Sequence, residues 1–309
     1  MTATRIQPAR GGTGLTLRQR ERIAGALFVL PDLLGLSLFA FLPMLLALGI
    51  GFFTVDGFGS YRFIGIANYR RMLHDQLFLQ SLRVTLAYVA ALVPGLYLSG
   101  LALALLVQRR SRLSGVLRTM FFMPQMVSLV VVAIIWQVLL VDKLGIVSQG
   151  LSLFGIVNLS LLGDPRFALA SLVVISVWFL MGFYMLIFLG GLQDIPRDYY
   201  EAARMDGATP VKSLFYITLP LLKPTSFFVL LVSAVAAVAG SQAFDLVYVM
   251  TKGGPANSTS FAIYYIYQQA FQYGEFGYAS AMATTLVMML MAMTLLLFAL
   301  THGGRFEHG

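Results

Sequence analysis

Few side chains in this chain could do covalent chemistry, and their spacing assembles no reaction centre. There is no cysteine, which excludes disulfides, thiolate metal sites and cysteine nucleophiles. The three histidines, His74, His302 and His308, are too scattered to suggest a metal site, so none is expected. No G-x-x-x-x-G-K-[ST] phosphate loop occurs, so the chain cannot hydrolyse ATP in the usual way. The apolar runs carry no paired carboxylates, Ser-His arrangement or metal cluster, which leaves an intramembrane hydrolase unsupported and the list of catalytic residues empty. Ion-coupled carriers normally place ionisable groups at mid-membrane depth, but here Asp32 and Asp245 fall near the ends of their runs. If this protein moves a solute, the energy must come from a partner.

A polar, charged stretch lies at 196–224, PRDYYEAARMDGATPVKSLFYITLPLLKP, between apolar runs at 168–191 and 225–250. Its pattern predicts two short helices around a tight break. Pro196 suits a first helical position, where a missing N–H costs nothing. Glu201 and Arg204, three apart, are neighbours on one face. Gly207 is placed to end the first helix in a left-handed conformation. Thr209 and Pro210 then read as N-cap and first residue of the second helix, with Val211, Leu214, Phe215 and Thr218 at helical spacing.

A solvated connector would also be polar. The residues are more specific than that: Glu201-Ala202-Ala203, Asp206-Gly207-Ala208, Ile217, Leu219-Pro220 and Pro224 resemble the EAA loop of binding-protein-dependent ABC transporter permeases. The resemblance implies that 196–224 is a coupling loop seated in a groove on a cytoplasmic ATPase, with Tyr200, Glu201, Ala202, Ala203, Asp206, Gly207, Ala208, Leu219 and Pro220 as coupling residues. Ala202 and Ala203 would then allow close approach, Glu201 a charged contact and Gly207 the bend.

The composition fits a membrane chain. Of 309 residues, 59% are hydrophobic and 11% charged, against about 25% charged in soluble domains. Mean hydropathy is +0.82. The net charge of +8 sits beside the apolar spans, as topology determinants do, which argues against nucleic acid. The expected organisation is a basic cytoplasmic tail at 1–22, then a first transmembrane helix and outer interfacial segment at 23–76. A permease domain of five helices follows at 77–302, with a cytoplasmic tail at 303–309. The six spans are expected near 23–53, 82–107, 116–141, 167–192, 225–250 and 279–300, each long enough for a hydrocarbon core of about 30 Å. Pro31 and Pro43 are expected kinks. Residues 63–73 predict a short interfacial helix, with no core role for Asn68 or Tyr69. The segment also resembles the F-x-G-x-x-N-Y run that follows the first span in that family. Of the 21 lysines and arginines, 14 lie in the tails and in the loops on the side of residues 196–224. That bias puts both termini, and this loop, in the cytoplasm.

A second stretch, Phe244-Asp245 through Thr251-Lys252-Gly253-Gly254-Pro255, resembles the F-D-x-x-x-x-x-T-x-G-G-P segment of carbohydrate-type permeases, similar to the first of two paired subunits in sugar or glycerol-phosphate importers. Gly253, Gly254 and Pro255 read either as a plain turn or as a docking point for a solute-binding protein. Gln125, Ser128, Tyr184, Ser233 and Gln242 are candidate path-lining groups, although hydroxyls and amides also join helices to each other. The resemblance, which covers residues 23–300, implies an all-α, six-helix subunit of type I ABC importer architecture in the bacterial inner membrane. Its expected partners are a second permease, two ATP-binding subunits that carry the ATP and magnesium, and an extracytoplasmic solute-binding protein. The competing reading is an ion-coupled secondary transporter.

Overall fold

A computed structural model describes residues 16–55, 59–108, 111–155 and 159–300, and these are overwhelmingly helical. The described residues divide into a short N-terminal unit ending at Gly49 and a larger unit from Ile50 onward. The N-terminal unit is α1 (Leu17–Leu36), a π turn (Ser37–Phe41) and α2 (Leu42–Ile50). Helix α1 begins earlier than the expected basic tail allows. Thr16 accepts from the Gln19 N–H while the Gln19 side chain accepts from the Thr16 N–H, a capping box legible as T-x-x-Q. Residues 1–15 and 301–309, and with them nearly all of the expected tails, lie outside the described residues. The expected kink at Pro43 becomes the π turn just before it, whereas Pro31 is contained within α1.

The larger unit opens with a hairpin, β1 (Phe53–Val55) and β2 (Tyr61–Phe63), antiparallel with Thr54 opposite Arg62. Then come α3 (Ala67–His74), α4 (Gln76–Val107), α5 (Arg112–Phe122), α6 (Leu129–Leu139), α7 (Ile146–Leu153) and α8 (Pro165–Gln193). The expected interfacial helix is α3, but Asn68 within it is 5% exposed and donates to the carbonyls of Gly51 and Phe53 at 2.9 and 3.0 Å. The expectation that Asn68 has no core role is therefore corrected: it satisfies two backbone acceptors where the chain leaves α2.

After α8 follow α9 (Arg197–Met205), α10 (Pro210–Ser213), a π turn (Leu214–Thr218), α11 (Leu219–Leu221), α12 (Lys223–Ala239), α13 (Ser241–Leu246), α14 (Ala262–Tyr267) and α15 (Phe276–Leu300). Four segments are long and apolar enough to cross a membrane: Leu17–Ile50, Gln76–Val107, Pro165–Gln193 and Phe276–Ala299. Two bent pairs bring the number to six if each is one span. Arg112–Met126 meets Leu129–Leu139 at 95°, and Pro210–Leu221 meets Lys223–Ala239 at 67°.

Two expected spans are thus not the continuous helices that their hydropathy suggests. In the third, Pro124 sits in a 3-10 turn, Met123–Met126, and Val127 is extended at φ −97°, ψ 144°. Proline offers no amide to continue the ladder, although Met123 before it stays helical at φ −52°, ψ −41°. In the fifth, Gly240 is extended at φ −69°, ψ 144° and separates α12 from α13. At 1.5 Å per residue the 17 residues of α12 reach only about 26 Å, short of a hydrocarbon core.

Helices α4 and α8 form the centre of the larger unit. Leu92, Leu96, Leu172, Ile175, Met185 and Phe188 are at most 2% exposed. Small residues permit the close approach. A Cβ on Gly100 would meet Tyr184 Cβ at 3.0 Å, and one on Gly182 would overlap the Phe121 carbonyl. Polar contacts add to this packing: Tyr88 and Ser176 share a hydrogen bond of 2.7 Å between α4 and α8, and Tyr97 bonds Ser226 of α12 at 3.0 Å.

Candidate coupling site

Residues 196–224 fold as the sequence predicts in outline, with one helix start shifted. Pro196 is the N-cap (φ −58°, ψ 139°) and not the first helical residue, so α9 begins at Arg197. Helix α9 ends in a Schellman motif. The Ala208 N–H donates to the Ala203 carbonyl at 2.8 Å and the Gly207 N–H to the Arg204 carbonyl at 3.0 Å. Gly207 has φ +77°, a conformation glycine adopts without a Cβ clash. Thr209 caps α10 by accepting from the Lys212 N–H at 3.3 Å, with Pro210 at the first helical position. The second short helix then runs on through the π turn and α11 until it bends into α12.

The polar face of α9 is open. Glu201, Ala202 and Arg204 are exposed, Ala203 is half-buried, and Met205 is 89% exposed. Val211, Phe215 and Tyr216 of the second arm are 64%, 60% and 80% exposed, so apolar surface flanks the charged helix. Patches of this kind mark interaction sites. Tyr200 differs from its neighbours: it is half-buried, packs against the central core, and shares a 3.0 Å hydrogen bond between its Oη and Thr218 Oγ1. A cavity of about 1020 Å³ runs from Arg197, Tyr200, Glu201 and Arg204 of α9 to the ends of α4 and α8, where Gln108 and Gln193 line it.

The other candidates separate into two groups. Tyr184 is 2% exposed and packs on Gly100, and Ser233 is fully buried and donates to the Leu230 carbonyl at 3.2 Å. Both side chains are buried, Tyr184 between helices and Ser233 bonded to its own helix. Gln125 (half-buried) and Ser128 (exposed) instead flank the bend of the third span, and half-buried Gln242 sits just past the break at Gly240. Helix α6 packs against α13, so the two interrupted spans are neighbours. Irregular backbone at membrane depth is tolerated where it lines a cavity or is covered by protein. Gly253 is buried at φ +84°, and Thr259 Oγ1 donates to the Gly254 carbonyl at 2.6 Å, so Gly253, Gly254 and Pro255 form a pinned turn.

Sequence reasoning missed one polar centre. Asp75 caps α4, accepting from the Leu77 and Phe78 N–H groups at 3.0 and 3.2 Å. It also accepts from Tyr265 Oη at 2.9 Å and Tyr278 Oη at 2.7 Å. Burial alone raises its pKa. The bonds from Tyr278, the Phe78 amide, Tyr265 and the Leu77 amide outweigh that and hold the carboxyl below its ordinary value. Arg71 completes the group, 4.1 Å over the Tyr278 ring and 3.0 Å from Glu275. An aspartate just before a long apolar run is a helix-start signal, but its tyrosine partners lie 190 and 203 residues away.

Interrupted membrane helices around a capped, outward-facing polar elbow define a polytopic transport subunit. Residues 95–302 match the family described as binding-protein-dependent transport system inner membrane component, and the chain belongs to that family. It is 36% identical over 285 residues to the probable ABC transporter permease protein YesP of Bacillus subtilis, covering 91% of each chain. It is 32% identical to the sulfoquinovosyl glycerol transport system permease protein SmoG of Agrobacterium fabrum, covering 89% of each. Among solved structures, a chain of a bacterial alginate ABC transporter in complex with alginate pentasaccharide-bound periplasmic protein superposes with a TM-score of 0.80. That match has 21% identity and covers 91% of this chain and 94% of that one. The all-α ABC importer fold expected from the sequence is therefore present, and the chain is a multi-pass membrane permease subunit.

Proposed function

We propose that this permease admits a sugar or a related polyol or glycerol-phosphate solute, and that α9 with its Gly207 turn is the point at which ATP-driven force enters. Support for the solute class comes from the name of the sulfoquinovosyl glycerol relative and from the F-D-x-x-x-x-x-T-x-G-G-P run. Both termini and residues 196–224 are assigned to the cytoplasm. A second permease completes the path, and two ATPase subunits holding ATP and magnesium dock on α9. A solute-binding protein delivers the ligand on the outer side, where the exposed Ala256 and Asn257 beside the Gly253-Gly254-Pro255 turn offer a contact. Gln125, Ser128 and Gln242, at the helix breaks, are the path-lining groups in this reading.

The observation that carries the proposal is the exposed α9, closed at its C-terminus by the Gly207 turn, whose charged side chains make no ion pair among the described residues. Such a helix is held in shape and left open for a partner. Replacing Glu201 by Lys and Gly207 by Val tests it. Charge reversal and a β-branched residue at positive φ should abolish copurification of the ATPase subunits while membrane insertion persists. A variant that still binds the ATPase and transports at the wild-type rate defeats the assignment.

A further inference from the structure

Helix α9 is attached to the rest of the chain by little. Its backbone caps bond only within the turn at 206–208, and the cavity of about 1020 Å³ borders its Arg197, Tyr200, Glu201 and Arg204 side. Among the described residues, one side-chain hydrogen bond joins α9 to another element: Tyr200 Oη to Thr218 Oγ1. Thr218 is itself well fixed. It is 4% exposed, closes the π turn by bonding the Ser213 carbonyl at 3.3 Å, and precedes α11, which leads through fully buried Leu222 into α12.

Resting on the coupling role proposed above, we infer that the Tyr200–Thr218 hydrogen bond is a clasp that makes α9 and the fifth span move as one body. Tyr200 is thus a positioning residue. A push on α9 has two ways to be absorbed. With the clasp closed, displacement passes from Tyr200 to Thr218 and along α11 into α12. With it open, α9 turns into the cavity about the Gly207 hinge and the stroke is lost before it reaches the membrane. Thr218 is buried and Tyr200 packs against the central core on one side, while both residues border the cavity on the other.

The absence of cysteine permits a direct test in the full transporter, assembled with its ATPase partners. Spin labels are placed at Asp198→Cys on α9 and Phe228→Cys on α12, both exposed positions. Distances between them are measured without nucleotide and after trapping with ATP and vanadate. The parent protein should give one narrow distribution in both states. Tyr200→Phe and Thr218→Val should each broaden it on trapping. ATP hydrolysis should continue within about twofold of wild type while solute moved per ATP falls about fivefold, the effect of losing one such bond. The double variant should be no worse than either single one, because both remove the same interaction. Thr218→Ser, which keeps the hydroxyl, should restore the narrow distribution. Unchanged distances and unchanged coupling in Tyr200→Phe, with the complex intact, overturn the clasp. Loss of the ATPase from the unmutated complex would instead overturn the coupling role on which it rests.

Discussion

Asp75 shows how much one side chain can hold together. It receives four hydrogen bonds from three elements, and its folded pKa lies below the ordinary value. A depressed carboxylate pKa adds stability that is present above the unfolded value, near 3.8, and is lost as pH falls through the folded value. Acid titration of thermal stability in detergent should therefore show a loss confined to pH below about 4. Asp75→Asn should cost about 1–2 kcal/mol at neutral pH and flatten that acid limb, since an amide can cap the helix but attracts phenolic hydroxyls less. An unchanged acid limb in the variant would show that other groups govern it. At this scale the sequence was legible where the partners are local. Thr209, Gly207 and Pro210 act as their types and spacing predict, whereas Asn68, Asp75 and Thr218 work through contacts 15 to 203 residues away that no local pattern encodes.

At the scale of elements, hydropathy located every apolar run but did not show which of them bend. Pro124 precedes the 95° bend of the third span, and Gly240 interrupts the helix of the fifth, whose 67° bend lies earlier, between Leu221 and Lys223. Each stands inside an apolar run long enough to span, where hydropathy alone registers no break. In the structure the breaker prevails, because the bent halves pack on neighbouring helices and keep their backbone groups covered. Beside the bend, Gly182 lets α8 lie against the backbone of Phe121 and Phe122. Gly182→Leu should separate α8 from α5 and destabilise the protein by about 2–4 kcal/mol, beyond the usual cost of overpacking because backbone must move. A variant that melts at the wild-type temperature would mean that α5 can shift freely. The hairpin at 53–63 left no clear trace in the sequence, since its strands have three residues each and are fixed by Asn68 from outside.

At the scale of the whole molecule, the account divides labour between a membrane body and a polar arm. The body around α4 and α8 is apolar, tightly packed and joined by few polar contacts such as Tyr88–Ser176. The arm presents charge and exposed apolar side chains on a helix with defined ends. In the proposed reading such a chain passes on work done elsewhere, and the central claim is that the arm meets its driver in the cytoplasm. One measurement bears on that directly. Arg204→Cys, in a chain with no other cysteine, is treated with a membrane-impermeant maleimide in right-side-out and inverted vesicles, and then with a short crosslinker in the assembled complex. The account predicts labelling only in inverted vesicles and a crosslink to the ATPase subunit that ATP and vanadate alter. Labelling in right-side-out vesicles, with no crosslink to the ATPase, would contradict it.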